Sequence, residues 1–311
     1  RDLRMSRGLG DVYKRQNMWN EVLGATGFGL LWAVMTIGIY ITYRILDVAD
    51  LTVEGSITMG AAVCAVSITA GIDPYLSLLL AFAAGMAAGL CTGLLHTLLK
   101  IPPLLSGILT MIAAWSVNLR IMDKANVSLL KLSTVFTPVM EAFGMTKTVA
   151  TIVVGAGVTL VLICFCYWFF GTEVGCAIRA TGGNPNMARA QGINTNVMKI
   201  LGLVLSNGLV AVSGALIAQS QSFADIQMGT GSIVIGLASL IIGEVLFGKG
   251  GFFKRLISLA LGAITYRLII AAVLHFGMNA NDLKLFTAIT VALALSLPVI
   301  KAKIQGGRKG A

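Results

Sequence analysis

Long apolar runs, interrupted by glycine and by short polar intervals, dominate the chain from residue 24 to residue 300. A helix rises 1.5 Å per residue, so about 20 apolar residues cross a hydrocarbon core of ~30 Å. Nine stretches approach or exceed that length: 24–43, 55–72, 74–98, 101–121, 148–170, 199–220, 232–248, 254–276 and 283–300. Several carry internal Gly, and the seventh is short. Pro74, Pro102, Pro103, Pro138, Pro185 and Pro298 all fall near span ends or in loops, where helices start and stop. The pattern predicts an all-α polytopic membrane protein with about nine transmembrane segments.

Composition narrows the class. Apolar residues make up 57% and charged residues 12% of the 311, with mean hydropathy +0.87. Soluble domains carry about a quarter charged residues. The shortage excludes a soluble enzyme, a disordered chain and a disulfide-stapled module. The net charge of +10 therefore says nothing of nucleic acid, and instead orients the chain. With the natural N-terminus outside, the inner ends hold twelve cations: Arg44, Lys100, Arg179, Arg189, Lys199, Lys249, Lys254, Arg255, Lys301, Lys303, Arg308 and Lys309. The outer side holds five, Arg120, Lys124, Lys131, Lys147 and Lys284. Residues 1–16 carry five more cations and no apolar stretch of signal-peptide form. They read as a non-native or disordered leader (1–17), the alternative being a native basic tail. The transmembrane domain is then 18–303, and 304–311 is a cytoplasmic tail. Cys64, Cys91, Cys164, Cys166 and Cys176 form no CxxC pair, so they read as packing residues and not as a metal or redox site.

Two segments read alike. D-L-T-V-E-G-S-I-T-M-G-A-A starts at Asp50, and D-I-Q-M-G-T-G-S-I-V-I-G-L-A starts at Asp225. Their shared core aligns Gly55, Ser56, Ile57, Gly60 and Ala62 with Gly231, Ser232, Ile233, Gly236 and Ala238. The copies lie five spans apart, so they run in opposite directions. This predicts an inverted repeat of spans 1–4 and 6–9, with broken helices where each copy starts. A path between the copies would expose Ser56, Thr58, Ser232, Ser206 and Asn207 to solute. Equally, these groups could bond neighbouring helices.

Gly85, Gly89 and Gly93 repeat at four-residue steps, with Ala81 one step earlier, and form a face for close helix approach. Glu244 and Arg267 are charges inside spans. They suit a structural tie to each other, a place in the path, or interface snorkelling. His96 and His275 lie near span ends and read as packing or interface residues.

The loop 171–198 has its own local logic. Asn184 suits an N-cap, Pro185 suits N1 and Gly192 suits C′, so a two-turn helix over 185–191 is predicted between Gly183 and Gly192. It is too short to be stable alone. The pattern R-A-x-G-x-N-P-x-x-A-R-x-x-G-I over 179–193 resembles the coupling loop of ATP-binding-cassette (ABC) importer permeases of the branched-chain amino acid and ribose type. So do D-L-T-V-E-G-S at 50–56, L-S-G-I-L-T-M at 105–111, I-I-G-E-V-L-F-G at 241–248 and N-A-N-D-L-K-L at 279–285. The likeness covers about 18–303. It implies a transmembrane permease domain in a bacterial plasma membrane, without a cofactor of its own. Its implied partners are a cytoplasmic ATPase that hydrolyses ATP, an extracytoplasmic solute-binding protein, a second permease copy and membrane lipid. By position, Gly183, Asn184, Pro185, Ala188, Arg189 and Gly192 would form the ATPase-coupling helix. The loop has no literal E-A-A triplet.

No GxxxxGK[ST] phosphate loop occurs in the chain, so ATP hydrolysis belongs to a partner in this reading. The function implied is inward movement of a small solute by alternating access; the family likeness points to an amino acid, with an aromatic one as the narrower reading. A secondary transporter driven by an ion gradient is the alternative, since inverted repeats suit that class too. An intramembrane enzyme is disfavoured, because no HExxH, GxSxG or paired intramembrane Asp is found. The segment 122–147 reads as an outer loop that meets the binding protein or merely connects spans.

Overall fold

A computed structural model describes residues 2–275 apart from Lys249, with side chains over 19–274, and a few isolated positions between 285 and 296. The helices in chain order are α1 (Asp2–Tyr40), α2 (Thr52–Thr69), α3 (Pro74–Thr97), α4 (Pro103–Met122), α5 (Phe136–Phe143), α6 (Lys147–Phe169), α7 (Glu173–Gly183), α8 (Pro185–Ala190), α9 (Thr195–Gln221), α10 (Ser232–Phe247) and α11 (Phe252–His275). A π-helical turn, Ile41–Ile45, extends α1. Strands β1 (Asn126–Ser128) and β2 (Phe223–Asp225) pair antiparallel, Asn126 opposite Asp225.

Among the described residues, seven helices are long and apolar enough to cross a membrane: Trp19–Ile45, Thr52–Thr69, Pro74–Thr97, Pro103–Met122, Lys147–Phe169, Thr195–Gln221 and Phe252–Leu274. The protein is thus an all-α polytopic membrane protein. They match the first six predicted spans and the eighth. The seventh is α10, a shorter apolar helix of 16 residues. The ninth, 283–300, lies largely outside the described residues, as do most of the motif at 279–285, the cations Lys284, Lys301, Lys303, Arg308 and Lys309, and the His275 side chain.

Local chemistry sets the helix starts. The Asp73 carboxylate accepts the N–H groups of Tyr75 and Leu76, with Pro74 at the first helical position of α3. The Asn194 side chain does the same for α9. Burial then sorts the helices. About three quarters of α2 and α9 is enclosed (78% and 72% of their central windows), against 28% for α4 and 33% for α3 and α6. With 67% of its central window enclosed, α1 joins α2 and α9 in the centre, and the other spans wrap it.

Small residues let the centre close up. A Cβ on Gly85 or Gly89 would strike the backbone of Asn207 or Leu203 in α9, so α3 lies directly on α9. The predicted glycine face is therefore a packing face. Gly60 of α2 meets Ala211 in the same way, and Gly38 of α1 meets Ser206.

The contacts display the inversion. Helices α1 and α9 are antiparallel: Ser206 donates to the Gly38 carbonyl at 2.7 Å and Ser213 to the Leu31 carbonyl at 2.7 Å. In the first copy, α2 and α3 are antiparallel, through Thr52–Thr92 at 2.6 Å and Cys64–Ser77 at 3.2 Å. In the second, α10 and α11 are antiparallel, through Ser239 against Gly262 and Ser258 against Gly243. The third helix of each copy then packs on the first helix of the other, α3 on α9 and α11 on α1. Gly29 against Ile264 and Tyr40 against Phe252 fix the latter pair. Even the turns opening the copies agree. Asp50 accepts the Thr52 N–H at 2.9 Å, and Asp225 accepts the Gln227 N–H at 2.7 Å.

Segment 122–147 is more ordered than a bare connection. It holds β1 and α5, and the Gln219 side chain accepts the Val135 N–H at 2.8 Å. Lys147 donates to Ser222 at 2.7 Å. These bonds tie the segment to the end of α9.

Candidate functional site

Two features stand out: a capped peg at one end of the bundle and a crossing of broken segments in its middle. The peg is α8. Asn184 accepts the N–H groups of Asn186 and Met187, both at 3.1 Å, with Pro185 at the first helical position. At the other end, Gly192 takes φ +83°, the left-handed region. The Gly192 N–H reaches the Arg189 carbonyl at 2.9 Å, and the Ile193 N–H reaches the Ala188 carbonyl at 3.1 Å. This is the pair of bonds of a Schellman cap. The helix closes at Ala190.

The peg is rooted as well as capped. Ala188 is 1% exposed and faces inward, so it anchors α8 and is not part of its outer surface. Arg189 donates from Nε to Thr195 at 2.9 Å, bracing the peg on α9. The outer surface is Asn186, Met187, Ala190 and Gln191, with Met187 54% exposed. Gly183 has open space around it, whereas a Cβ on Gly182 would meet the Ile45 carbonyl. Gly182, which the sequence pattern did not single out, holds α7 against the end of α1. A cleft of about 350 Å³ opens there, with Arg44, Arg179 and Arg255 among its walls. Arg179 lies 5.2 Å from the Phe252 ring centre.

The crossing begins where the chain leaves α1. Instead of starting at the end of the bundle, α2 starts beside Asn207, near the middle of the 27-residue α9. The Asn207 amide donates to Asp50 at 2.7 Å and to the Leu203 carbonyl at 3.0 Å, and accepts the Ser56 hydroxyl at 2.6 Å. The second copy also starts inside. After β2 the chain turns inward, and the Gly231 N–H meets the Glu54 carboxylate at 3.0 Å just before α10. The two broken starts therefore touch, joined by Glu54. This explains why α10 is short.

The predicted path residues separate into groups. Ser56, Ser206 and Asn207 are fully buried and bonded between helices, so in this conformation they are interhelical ties and not water-facing walls. Thr58 donates to the Glu54 carbonyl at 3.2 Å and borders a cleft between α2 and α4. Ser232 is 1% exposed, and its hydroxyl has no partner among the described residues. Glu244 and Arg267 do not pair with each other. Glu244 accepts from Arg44 at 3.3 and 3.4 Å, while Arg267 lies 4.3 Å from the Trp32 ring centre. The mismatch of depth between Glu244 and Arg267 is the physical reason, since Arg44 stands at the same end as Glu244. The His96 Nδ1–H donates to the Ile101 carbonyl at 2.9 Å and its Nε2 lies 3.3 Å from the Lys199 ammonium, a helix-end role. In the sequence Glu54 reads only as part of the motif at 50–56 and not as a site residue, because the predicted span begins at 55.

Long apolar helices around a buried centre, a capped peg at one end and two broken helices meeting inside define a polytopic membrane protein built as an inverted repeat. The chain belongs to the family described as branched-chain amino acid transport system / permease component, whose pattern matches residues 22–296. It is thus an ABC-type permease. It is 40% identical over 267 residues to the tyrosine transport system permease protein of Clostridioides difficile R20291, covering 86% of this chain and 88% of that one. It is 24% identical to the ribose import permease protein of Escherichia coli K12, over 85% of this chain and 80% of the relative. A solved structure described as an inward-facing metal-chelate type ABC transporter is 16% identical, with TM-score 0.49 and coverage of 91% and 85%.

Proposed function

We propose that this permease is the membrane subunit of an importer that moves an amino acid inward by alternating access, driven by a separate ATPase. The capped peg carries the reading. Its backbone groups are satisfied at both ends, its root is buried and its outer face is free, as a part that receives force must be. In this proposal the ATPase docks on Asn186, Met187 and Gln191, while Asn184, Pro185, Gly192, Ala188, Arg189 and Gly183 shape and root the peg. ATP is bound and hydrolysed by the partner alone.

The α8 end is cytoplasmic and the β1–β2 end external in a bacterial plasma membrane. The basic residues Arg44, Arg179, Arg189, Lys199, Lys254 and Arg255 near the peg support this orientation. An extracytoplasmic binding protein would deliver solute to the surface formed by β1, β2 and α5. A second copy of the chain would complete the path. The amino-acid substrate follows the name of the 40% identical relative.

Met187→Glu tests the peg. It places a charge on the outer face without touching the root. In proteoliposomes containing the ATPase and binding protein, solute-stimulated ATP hydrolysis should fall about tenfold, the cost of one buried unpaired charge at a docking face being well above 1.4 kcal/mol. The melting temperature of the permease alone should not change. Full stimulation in this variant would remove the docking assignment, and uptake without any ATPase would favour an ion-driven transporter.

A further inference from the structure

Between α2, α4 and the segment 226–230 lies a cleft of about 420 Å³, within the roughly 300–1,000 Å³ range of small-molecule sites. It opens beside α4, near the middle of that helix's length. Gly55 packs on Met111 and Ala114 of α4, and Asn118 donates to the Gly55 carbonyl at 3.3 Å. Met111 stands about 12 Å along α4 from Pro103 at helical rise. Here the chain places one carboxylate, Glu54, only half-buried.

A carboxylate at that depth is costly in lipid and marks a functional position by default. The cap on α10 uses only part of its capacity. The Gly231 N–H, at 3.0 Å, and the Ile233 N–H occupy two of the roughly four acceptor sites that an ionised carboxylate offers. The other walls share its preference. Trp115, 52% exposed, offers a π face; Thr58 and Ser116 offer hydroxyls; Asn118 is fully buried and its Oδ1 accepts no hydrogen bond among the described residues. No Lys or Arg lines the cleft among the described residues. Such a surface suits a small solute with an ammonium group and an apolar body: ammonium on carboxylate and indole, side chain on Met111, and the Thr58 and Ser116 hydroxyls left as donors for a solute carboxylate.

We propose that this cleft is a solute site within the membrane, in which Glu54 holds the α-ammonium group of the transported amino acid beside Trp115. The inference rests on the amino-acid reading above and adds the residue that recognises the solute.

The test uses the whole importer in proteoliposomes and a radiolabelled mixture of the twenty amino acids. Glu54→Gln keeps an oxygen for the Gly231 N–H but removes the charge. If Glu54 only caps α10, E54Q should transport like the wild type. If it holds the ammonium, uptake should fall about tenfold or more, the loss of one charge-assisted bond, far beyond what the small drop in melting temperature from a weaker α10 cap accounts for. Glu54→Asp should recover part of that loss. A second measurement needs no transport. In a cysteine-free background, Ser116→Cys should react faster with a cationic than with an anionic water-soluble thiol reagent, and E54Q should abolish the preference. Wild-type uptake that persists in E54Q, or an S116C thiol without charge preference, would overturn the assignment of Glu54. A wild-type importer that moves none of the twenty would instead overturn the amino-acid reading, and the ammonium ligand with it.

Discussion

Gly60 and Gly157 both sit in apolar helices, yet their surroundings differ completely. A Cβ on Gly60 would fall on the Ala211 carbonyl, whereas nothing lies within 4 Å of the corresponding position at Gly157. Gly60→Leu should therefore force α2 and α9 apart and cost about 3 kcal/mol or more. Gly157→Ala should leave stability unchanged or slightly raised, since Ala favours helix over Gly by about 1 kcal/mol. Thermal melts of the two purified variants would check the contrast. Sequence reading located the Gly85–Gly89–Gly93 face but could not name its partner, because spacing on one helix carries no information about another. The Glu244 bond illustrates the same limit. Its partner Arg44 is 200 positions away, and only the three-dimensional placement of α1 beside α10 brings them together.

At the scale of elements, long helices were legible because twenty apolar residues admit few other structures in lipid. The peg was legible too, because Asn184, Pro185 and Gly192 each satisfy a separate backbone requirement. Strands β1 and β2 were not. Each has three residues, and neither has meaning without the other, about a hundred positions distant. The breaks at Asp50 and Asp225 were visible as a repeat, but their meeting at Glu54 was not. The peg's dependence on its caps predicts a local failure. Asn184→Ala forfeits two bonds to α8, worth about 1 kcal/mol, and Gly192→Ala strains a left-handed residue by a similar amount. Either change should lower solute-stimulated ATP hydrolysis about fivefold while the melt of the bundle stays put. An unaltered rate in both variants would show that the caps are dispensable.

At the scale of the whole molecule, orientation is the most direct thing to measure. Ser128 and Gln191 are exposed at opposite ends of the bundle. In intact cells a membrane-impermeant thiol reagent should label Ser128→Cys, and should label Gln191→Cys only after permeabilisation. The reverse pattern would invert the proposed topology. Between those ends, the crossed packing of the copies has a further consequence. Each copy hides its third helix on the first helix of its counterpart, so neither can shield its own glycine-lined surface. A chain with one copy would leave that surface bare, and only a second molecule inserted the other way up could cover it. Joining both in one polypeptide makes the upside-down companion part of every molecule at synthesis.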